Sequence, residues 1–319
     1  MTGTTPPPLA LPDTVRFIER DWLSSNQVFL VDDGEATVVD TGYVKHAPMT
    51  AAIVGRLLEQ TGARLARIVN THLHSDHCGG NRLLAERFGA RISVPRASLA
   101  DVARWDEQAL TFAATGQRCE RFAAHDGISP GDELVMGGLR WRAHAAPGHD
   151  PKSLVFHCPE ARLLISADAL WEQGFGVIFP ELEGESGYDE QQAILELIAS
   201  LDVGLVLPGH GPAFTDVAAA IASARSRLKA FREDPARQPR HGLKVLVKYL
   251  MLDLERIETE RFIERIRAAS IPCHAARLLG MSPEKATREA IAQLVAQGQL
   301  GEDAGWLFDT SALDSSAPS

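Results

Sequence analysis

The stretch Thr71-His72-Leu73-His74-Ser75-Asp76-His77-Cys78-Gly79-Gly80 constrains this chain more than any other. It gathers three of the eleven histidines and a carboxylate within six residues. The preceding Leu65-Ala66-Arg67-Ile68-Val69-Asn70 reads as a short buried strand. The following Asn81-Arg82-Leu83-Leu84-Ala85-Glu86-Arg87-Phe88 has helical spacing. The cluster therefore sits on a strand-to-helix loop, where rigid elements aim several side chains at one point. His72 and His74 are two residues apart and face the same way in an extended segment. Asp76 and His77 follow at the turn and can face a second point. Imidazole nitrogen and carboxylate oxygen are the usual ligands of zinc and similar divalent ions. The alternative is a solvated polar loop, and the scarcity of histidine elsewhere argues against it.

Three later segments bring further ligand-type residues to strand ends. Ala146-Pro147-Gly148-His149-Asp150 supplies a histidine after a strand. Leu163-Leu164-Ile165-Ser166-Ala167-Asp168 supplies an aspartate, and Leu205-Val206-Leu207-Pro208-Gly209-His210 another histidine. Seven such residues exceed what one tetrahedral zinc requires, so two metals are implied. His144 and His157 lie within strands and read as structural; His46, His125, His241 and His274 read as surface residues.

A chain of 319 residues accommodates one large domain and a small one. The composition, 45% hydrophobic and 23% charged, is globular, and the net charge of −10 argues against a nucleic-acid-coating protein. Residues 1–19, with Pro6-Pro7-Pro8, read as a flexible tail rather than a signal peptide. No apolar run approaches a membrane span. Cys78, Cys119, Cys158 and Cys273 have no paired spacing, so a reduced, cytoplasmic setting is the simplest reading.

The motif His72-x-His74-x-Asp76-His77, followed in order by His149, Asp168 and His210, resembles the signature of the metallo-β-lactamase fold superfamily. The resemblance covers roughly residues 20–220. It implies an α/β fold, a four-layer αββα sandwich. It also implies that His72, His74 and His149 hold one ion, that Asp76, His77 and His210 hold the other, and that Asp168 bridges both. Zinc is the first expectation, with iron or manganese as alternatives. Hydroxide between the ions would be the nucleophile, oriented by Asp76. Asp40, in Asp40-Thr41-Gly42, would support the ligands from behind; on the residues alone it could equally cap a loop. The bridging aspartate brings the chain closer to glyoxalase-II-like enzymes than to antibiotic-cleaving β-lactamases. The expected reaction is thioester or ester hydrolysis of a small molecule. Lactonase, phosphodiesterase or endoribonuclease activity, and a metal-binding regulatory role with little turnover, are the alternatives. The aromatic, glycine-rich run after Asp168 makes Trp171 and Phe175 candidate pocket walls. The resembled superfamily places insertions over the metal cleft, which makes Trp105 and Phe112, in the helical stretch from Pro95 to Thr115, candidate lid residues, with helix-to-sheet packing the first expectation for each.

The expected organisation is a catalytic domain over 20–230, a linker over 231–242 marked by Pro235 and Pro239, a helical domain over 243–310, and a tail over 311–319. Helix, tight turn at Gly280-Met281-Ser282-Pro283, helix and hairpin look winged-helix-like, as in a lactamase-like ribonuclease group. Residues 241–310 hold nine basic and ten acidic side chains. A phosphate-tracking surface carries a basic excess, so packing or homodimerisation is expected here in place of nucleic-acid binding.

Overall fold

The computed structural model describes residues 11–311. Two sheets stack face to face. The first runs β1 (Val15–Ile18), β2 (Gln27–Asp32), β3 (Glu35–Val39), β4 (Arg64–Val69), β5 (Arg91–Pro95) and β6 (Asp126–Ile128) in sequence order. It is antiparallel through β3 and parallel from β3 to β6. The second sheet comprises β7 (Glu133–Met136), β8 (Leu139–Ala145), β9 (Leu154–Cys158), β10 (Leu163–Ala167) and β11 (Leu205–Pro208), in the order β11-β10-β9-β8-β7.

Period-two alternation builds the layers. Val28 and Leu30 enter the core between the sheets, while Phe29 points outward under helices. Val39 and Val69 face inward where Val38 and Ile68 face outward. On the second sheet Leu163 and Ile165 face inward and Leu164 outward. Strands covered on both faces must be apolar on both, hence the runs Val28-Phe29-Leu30-Val31 of β2 and Leu163-Leu164-Ile165 of β10. Helices α1 (Ala47–Thr61), α2 (Ser75–Cys78), α3 (Asn81–Phe88), α4 (Leu99–Arg104) and α5 (Phe112–Thr115) belong to the first half of the chain. Ala51 and Val54 of α1 and Leu84 of α3 cover the first sheet. Helices α6 (Phe179–Glu183), α7 (Tyr188–Ser200) and α8 (Val217–Glu233) follow, and α7 and α8 cover the second. The result is the αββα sandwich.

The same topology fixes where the site lies. β8 and β10 both run antiparallel to β9, and β11 runs parallel to β10. The C-terminal ends of β8, β10 and β11 therefore emerge at one edge. His149, Asp168 and His210 follow those three ends.

The C-terminal region contains α9 (Arg237–Leu254), β12 (Arg256–Glu258), α10 (Thr259–Ala268), α11 (Ser270–Leu278), α12 (Pro283–Ala296), β13 (Leu300–Asp303) and β14 (Trp306–Asp309). Its strands form a small sheet in the order β12-β14-β13. Its core includes Leu246, Leu250, Phe262 and Leu294, and it takes in Val177, Phe179 and Leu182 from the sandwich.

Two expectations about segments need correction. Residues 11–19 are not tail: Val15 to Ile18 pair antiparallel with Leu30 to Gln27, because Val15 enters the core between the sheets. Residues 1–10 of the expected tail, and 312–319 of the other, lie outside the described residues. The expected 231–242 linker is three residues long, 234–236, between α8 and α9. Pro239 sits in the first turn of α9, where the missing N–H costs nothing.

Candidate metal centre

Each candidate ligand is set at an element end. His72 and His74 lie on the loop after β4, and Asp76 and His77 on the single turn of α2. All seven residues His72, His74, Asp76, His77, His149, Asp168 and His210 are buried. Burying so many ionisable groups side by side is costly unless they satisfy one another or a cation.

The three histidines His72, His74 and His149 converge. His74 Nδ1 lies 3.1 Å from His72 Nε2 and 2.7 Å from His149 Nε2. The outer nitrogens decide where the protons are. His149 Nδ1 donates to the Val177 carbonyl at 2.6 Å. His72 Nδ1 donates to Thr71 Oγ1 at 3.1 Å, since that hydroxyl gives its own proton to Asp40 Oδ2 at 2.7 Å. The Nε2 atoms of His72 and His149 are thus bare lone pairs, both aimed at His74 Nδ1, and a single proton there cannot serve both. Nor does charging relieve the conflict: burial, above all, lowers His74 and His149 to about 4. Burial and then the neighbouring imidazoles hold His72 well below its ordinary value. Three neutral nitrogen donors pointing inward at one place have the chemistry to hold a metal ion. Asp150 Oδ2 stands 3.5 Å from His74 Nε2, on the far side of that ring.

The second set is acidic. His210 Nε2 is 3.1 Å from Asp76 Oδ2, and His77 Nε2 is 3.9 Å from the same oxygen. His77 Nδ1 donates to Asp40 Oδ2 at 2.8 Å, which fixes its tautomer. Burial opposes charge on His77, but Asp168, Asp40 and Asp76 outweigh it and raise its pKa well above the usual range. Burial likewise opposes the charges of Asp76 and Asp168, and the facing imidazoles outweigh it, holding Asp168 well below the ordinary carboxylate value. This pocket favours positive charge, which a proton on His77 or a cation between these side chains would supply. Asp168 stands between the sets: Oδ2 is 3.2 Å from His149 Nε2, and Oδ1 is 3.4 Å from His77 Nε2.

The backbone is shaped around these contacts. Asp40 and the Ala167 that precedes Asp168 both adopt positive φ, 60° and 46°. Non-glycine residues hold that conformation only where surroundings impose it. A Cβ on Gly209 would stand 2.2 Å from Asp168 Oδ1, so only glycine lets β11 approach that carboxylate.

Aromatic rings surround the cluster. Phe179 packs edge-on against His74 and His149, at 4.9 and 5.4 Å between centroids. Trp171 lies 5.3 Å from His210 and donates Nε1–H to Asp168 Oδ1 at 3.3 Å. Phe175 corrects the expectation of a pocket wall. It is fully buried beneath Phe231, with the Arg227 guanidinium 5.0 Å above its ring. The turn at Gly174 sends neighbouring side chains to opposite sides, and the Trp171 side keeps the site. Trp105 and Phe112 are not lid residues: they pack with Phe122 in the core under the first sheet, the packing expected first for each. His241 is not a free surface group; its Nε2 accepts from Arg227 at 2.6 Å. Sequence reasoning missed Trp22, which stacks on His210; Phe179, in the run expected to wall the site or to pack in the core, does both, beside His74 and His149 and within the C-terminal core. Trp22 belongs to no motif or periodic pattern. Asp150 carried a signal, being adjacent to His149, that was not used. A broader groove of about 1000 Å³, lined by Arg82, Leu99 and Phe122 among others, shares no residue with the cluster.

Residues 20–210 match the metallo-beta-lactamase superfamily profile. The chain belongs to that superfamily. Among solved structures, a beta-lactamase domain protein from Burkholderia ambifaria is 20% identical with a TM-score of 0.56, over 97% of each chain. A metallo-beta-lactamase family protein from Thermus thermophilus is 20% identical with a TM-score of 0.55, over 94% of this chain and 100% of that one. These show that the fold is shared. A hydroxyacylglutathione hydrolase of Cereibacter sphaeroides is 32% identical over 160 residues, 49% of this chain and 52% of that protein. The chain thus spans about half the length of the curated relatives it matches. Among the described residues no helix is long and apolar enough to cross a membrane.

Proposed function

We propose that this superfamily member is a dinuclear metal-dependent hydrolase of thioester or ester bonds in small molecules. One observation carries the reading. Asp168 stands between a neutral three-nitrogen set and an acidic set, one carboxylate oxygen toward each. His72, His74 and His149 would hold one ion and Asp76, His77 and His210 the other, with Asp168 shared. Nitrogen and oxygen donors in this mixture suit zinc, and also iron or manganese. Two such ions would lower the pKa of water toward neutrality and polarise a carbonyl oxygen.

The chain's own residues do the rest. Asp40 and Thr71 fix the outer nitrogens of His77 and His72, so their inner lone pairs keep one direction. The Val177 carbonyl does the same for His149. Asp76, more exposed than Asp168, would accept a proton from attacking water. No serine or cysteine nucleophile is required.

The relatives named hydroxyacylglutathione hydrolase support a thioester over a phosphodiester. So does the even charge of residues 241–310, whose order of helices and hairpin we read as winged-helix-like. We assign that region to packing against the site. Elemental analysis of protein purified without chelator should give near two equivalents of metal per chain. A panel of thioesters, lactones and phosphodiesters should show thioester cleavage fastest. Metal at one equivalent or below after reconstitution would sink the dinuclear reading, and selective phosphodiester cleavage would sink the substrate class.

A further inference from the structure

Trp22 is the largest apolar side chain left open beside the metal centre, with 60% of its surface exposed. One face of its indole lies parallel to the His210 ring, 6° between planes and 5.4 Å between centroids. Its neighbour Trp171 meets it edge-on at 5.6 Å. The remaining indole face has no protein partner among the described residues to match that exposure.

The exposure does not come from a loose loop. Ser25 N–H donates to the Asp76 carbonyl at 3.0 Å, and Asn26 N–H to the Gly209 carbonyl at 2.7 Å. The Asn26 side chain donates to the carbonyls of Pro208 and Gly211. The Leu23 carbonyl accepts from Tyr249 Oη of α9 at 3.1 Å. Three segments therefore grip the loop beside residue 22: the turn of α2, the turn after β11, and the C-terminal region. A chain that anchors a loop this firmly, yet leaves its indole in water, holds apolar surface ready for something else to cover.

Resting on the hydrolase reading, we propose that Trp22 and Trp171 form the subsite for an apolar acyl group, aromatic acyl groups best. A flat ring stacks on the open face of Trp22 and meets Trp171 edge to face, the arrangement aromatic pairs prefer. The acyl carbonyl then lies toward Asp168 and His210, to which the two indoles are already joined. Hydrolysis adds water across the acyl–sulfur bond and yields a carboxylic acid and a thiol. The selected substrates are thus arylacyl and longer alkylacyl thioesters, in preference to short hydroxyacyl ones.

The test uses the full chain loaded with zinc, as wild type, Trp22→Ala and Trp22→Phe. One thiol carries acetyl, short hydroxyacyl, hexanoyl or phenylacetyl groups, and kcat/KM is measured for each. Trp22→Ala should lower phenylacetyl and hexanoyl turnover about 10- to 100-fold, mainly through KM, and the acetyl and hydroxyacyl values by less than about threefold. Trp22→Phe should restore most of the loss. Calorimetric titration with phenylacetate, hexanoate and acetate reads the subsite without turnover: wild type should bind phenylacetate tightest, and Trp22→Ala should lose that preference. An equal loss on all four thioesters, or a lowered zinc content in Trp22→Ala, would overturn the proposal and make Trp22 a positioning residue for His210. If no ester or thioester is cleaved at all, the hydrolase reading fails; the titration still decides the subsite, since equal binding of the three acids by wild type and variant overturns it.

Discussion

The two halves of the candidate centre use the same residue type in opposite ways. His72, His74 and His149 are kept neutral by burial and by one another. His77, on the turn of α2 just after His72 and His74, has its pKa raised by three carboxylates, which favour positive charge there. The surroundings differ as well. The three-histidine half is closed by Phe179, a core residue shared with the C-terminal region. The other half is bordered by Trp22, open to solvent. Charge around an imidazole thus comes from the partners that folding brings, and burial alone does not set its sign.

Breaking what the halves share should have the largest effect. Asp168→Asn removes the carboxylate between them and leaves His77 with one counter-charge fewer. The loss should be about 3–5 kcal/mol, as when one partner leaves a buried pair, and metal analysis should show both ions weakened. Loss of one ion alone would show that another group joins the halves.

Phe179→Ala strikes only the closed half. It opens the core shared with α9 and unseats two ligand rings at once. Destabilisation should be about 3 kcal/mol, the low end for a buried phenylalanine, read as denaturant midpoint. An unchanged midpoint would separate the C-terminal core from the site.

Asp40→Ala sharpens the contrast from the acidic side. It frees His77 Nδ1 and removes a charge that favours His77 protonation. Removing such an outer partner typically costs about 10- to 100-fold in metal affinity. The ion on the acidic side should titrate out first and the three-histidine ion should weaken less, because Asp40 reaches His72 only through the Thr71 hydroxyl. Parallel loss of both would erase the distinction between the halves.

The smallest effect is expected at the open half. Tyr249→Phe deletes the hydroxyl that α9 gives to the Leu23 carbonyl. The cost should be about 1 kcal/mol, the net worth of one hydrogen bond, measured as a lowered Tm. Metal content should stay constant, because the Asp76 and Gly209 anchors of the loop remain.

Much of this was legible in the chain. Strand-end placement of His72, His149, Asp168 and His210 follows from apolar runs that stop at polar or glycine-rich turns. Such runs are read locally, and so are the 3.6-residue patterns of α7 and α12. Segment edges were less legible. Val15 to Ile18 looked like tail because a four-residue strand carries little pattern of its own, and Pro235 with Pro239 exaggerated a three-residue break.

The aromatic residues divide most clearly. Trp171 and Phe175 are four residues apart in one glycine-rich run, and composition treats them alike. The turn at Gly174 turns one toward Asp168 and the other into the core beneath Phe231. Trp22 lies far from every ligand in sequence and reaches His210 only because β1 and β2 lead their connecting loop to the ends of β4 and β11. The sequence by itself determined the candidate ligands, by residue type and their place after apolar runs, and through the family resemblance that their order carries it implied the αββα layering and the division into two halves. Only the tertiary structure decided at which imidazole positive charge is favoured and which aromatic ring faces the site. Both depend on neighbours brought together across long sequence separations, and a local pattern carries no record of them.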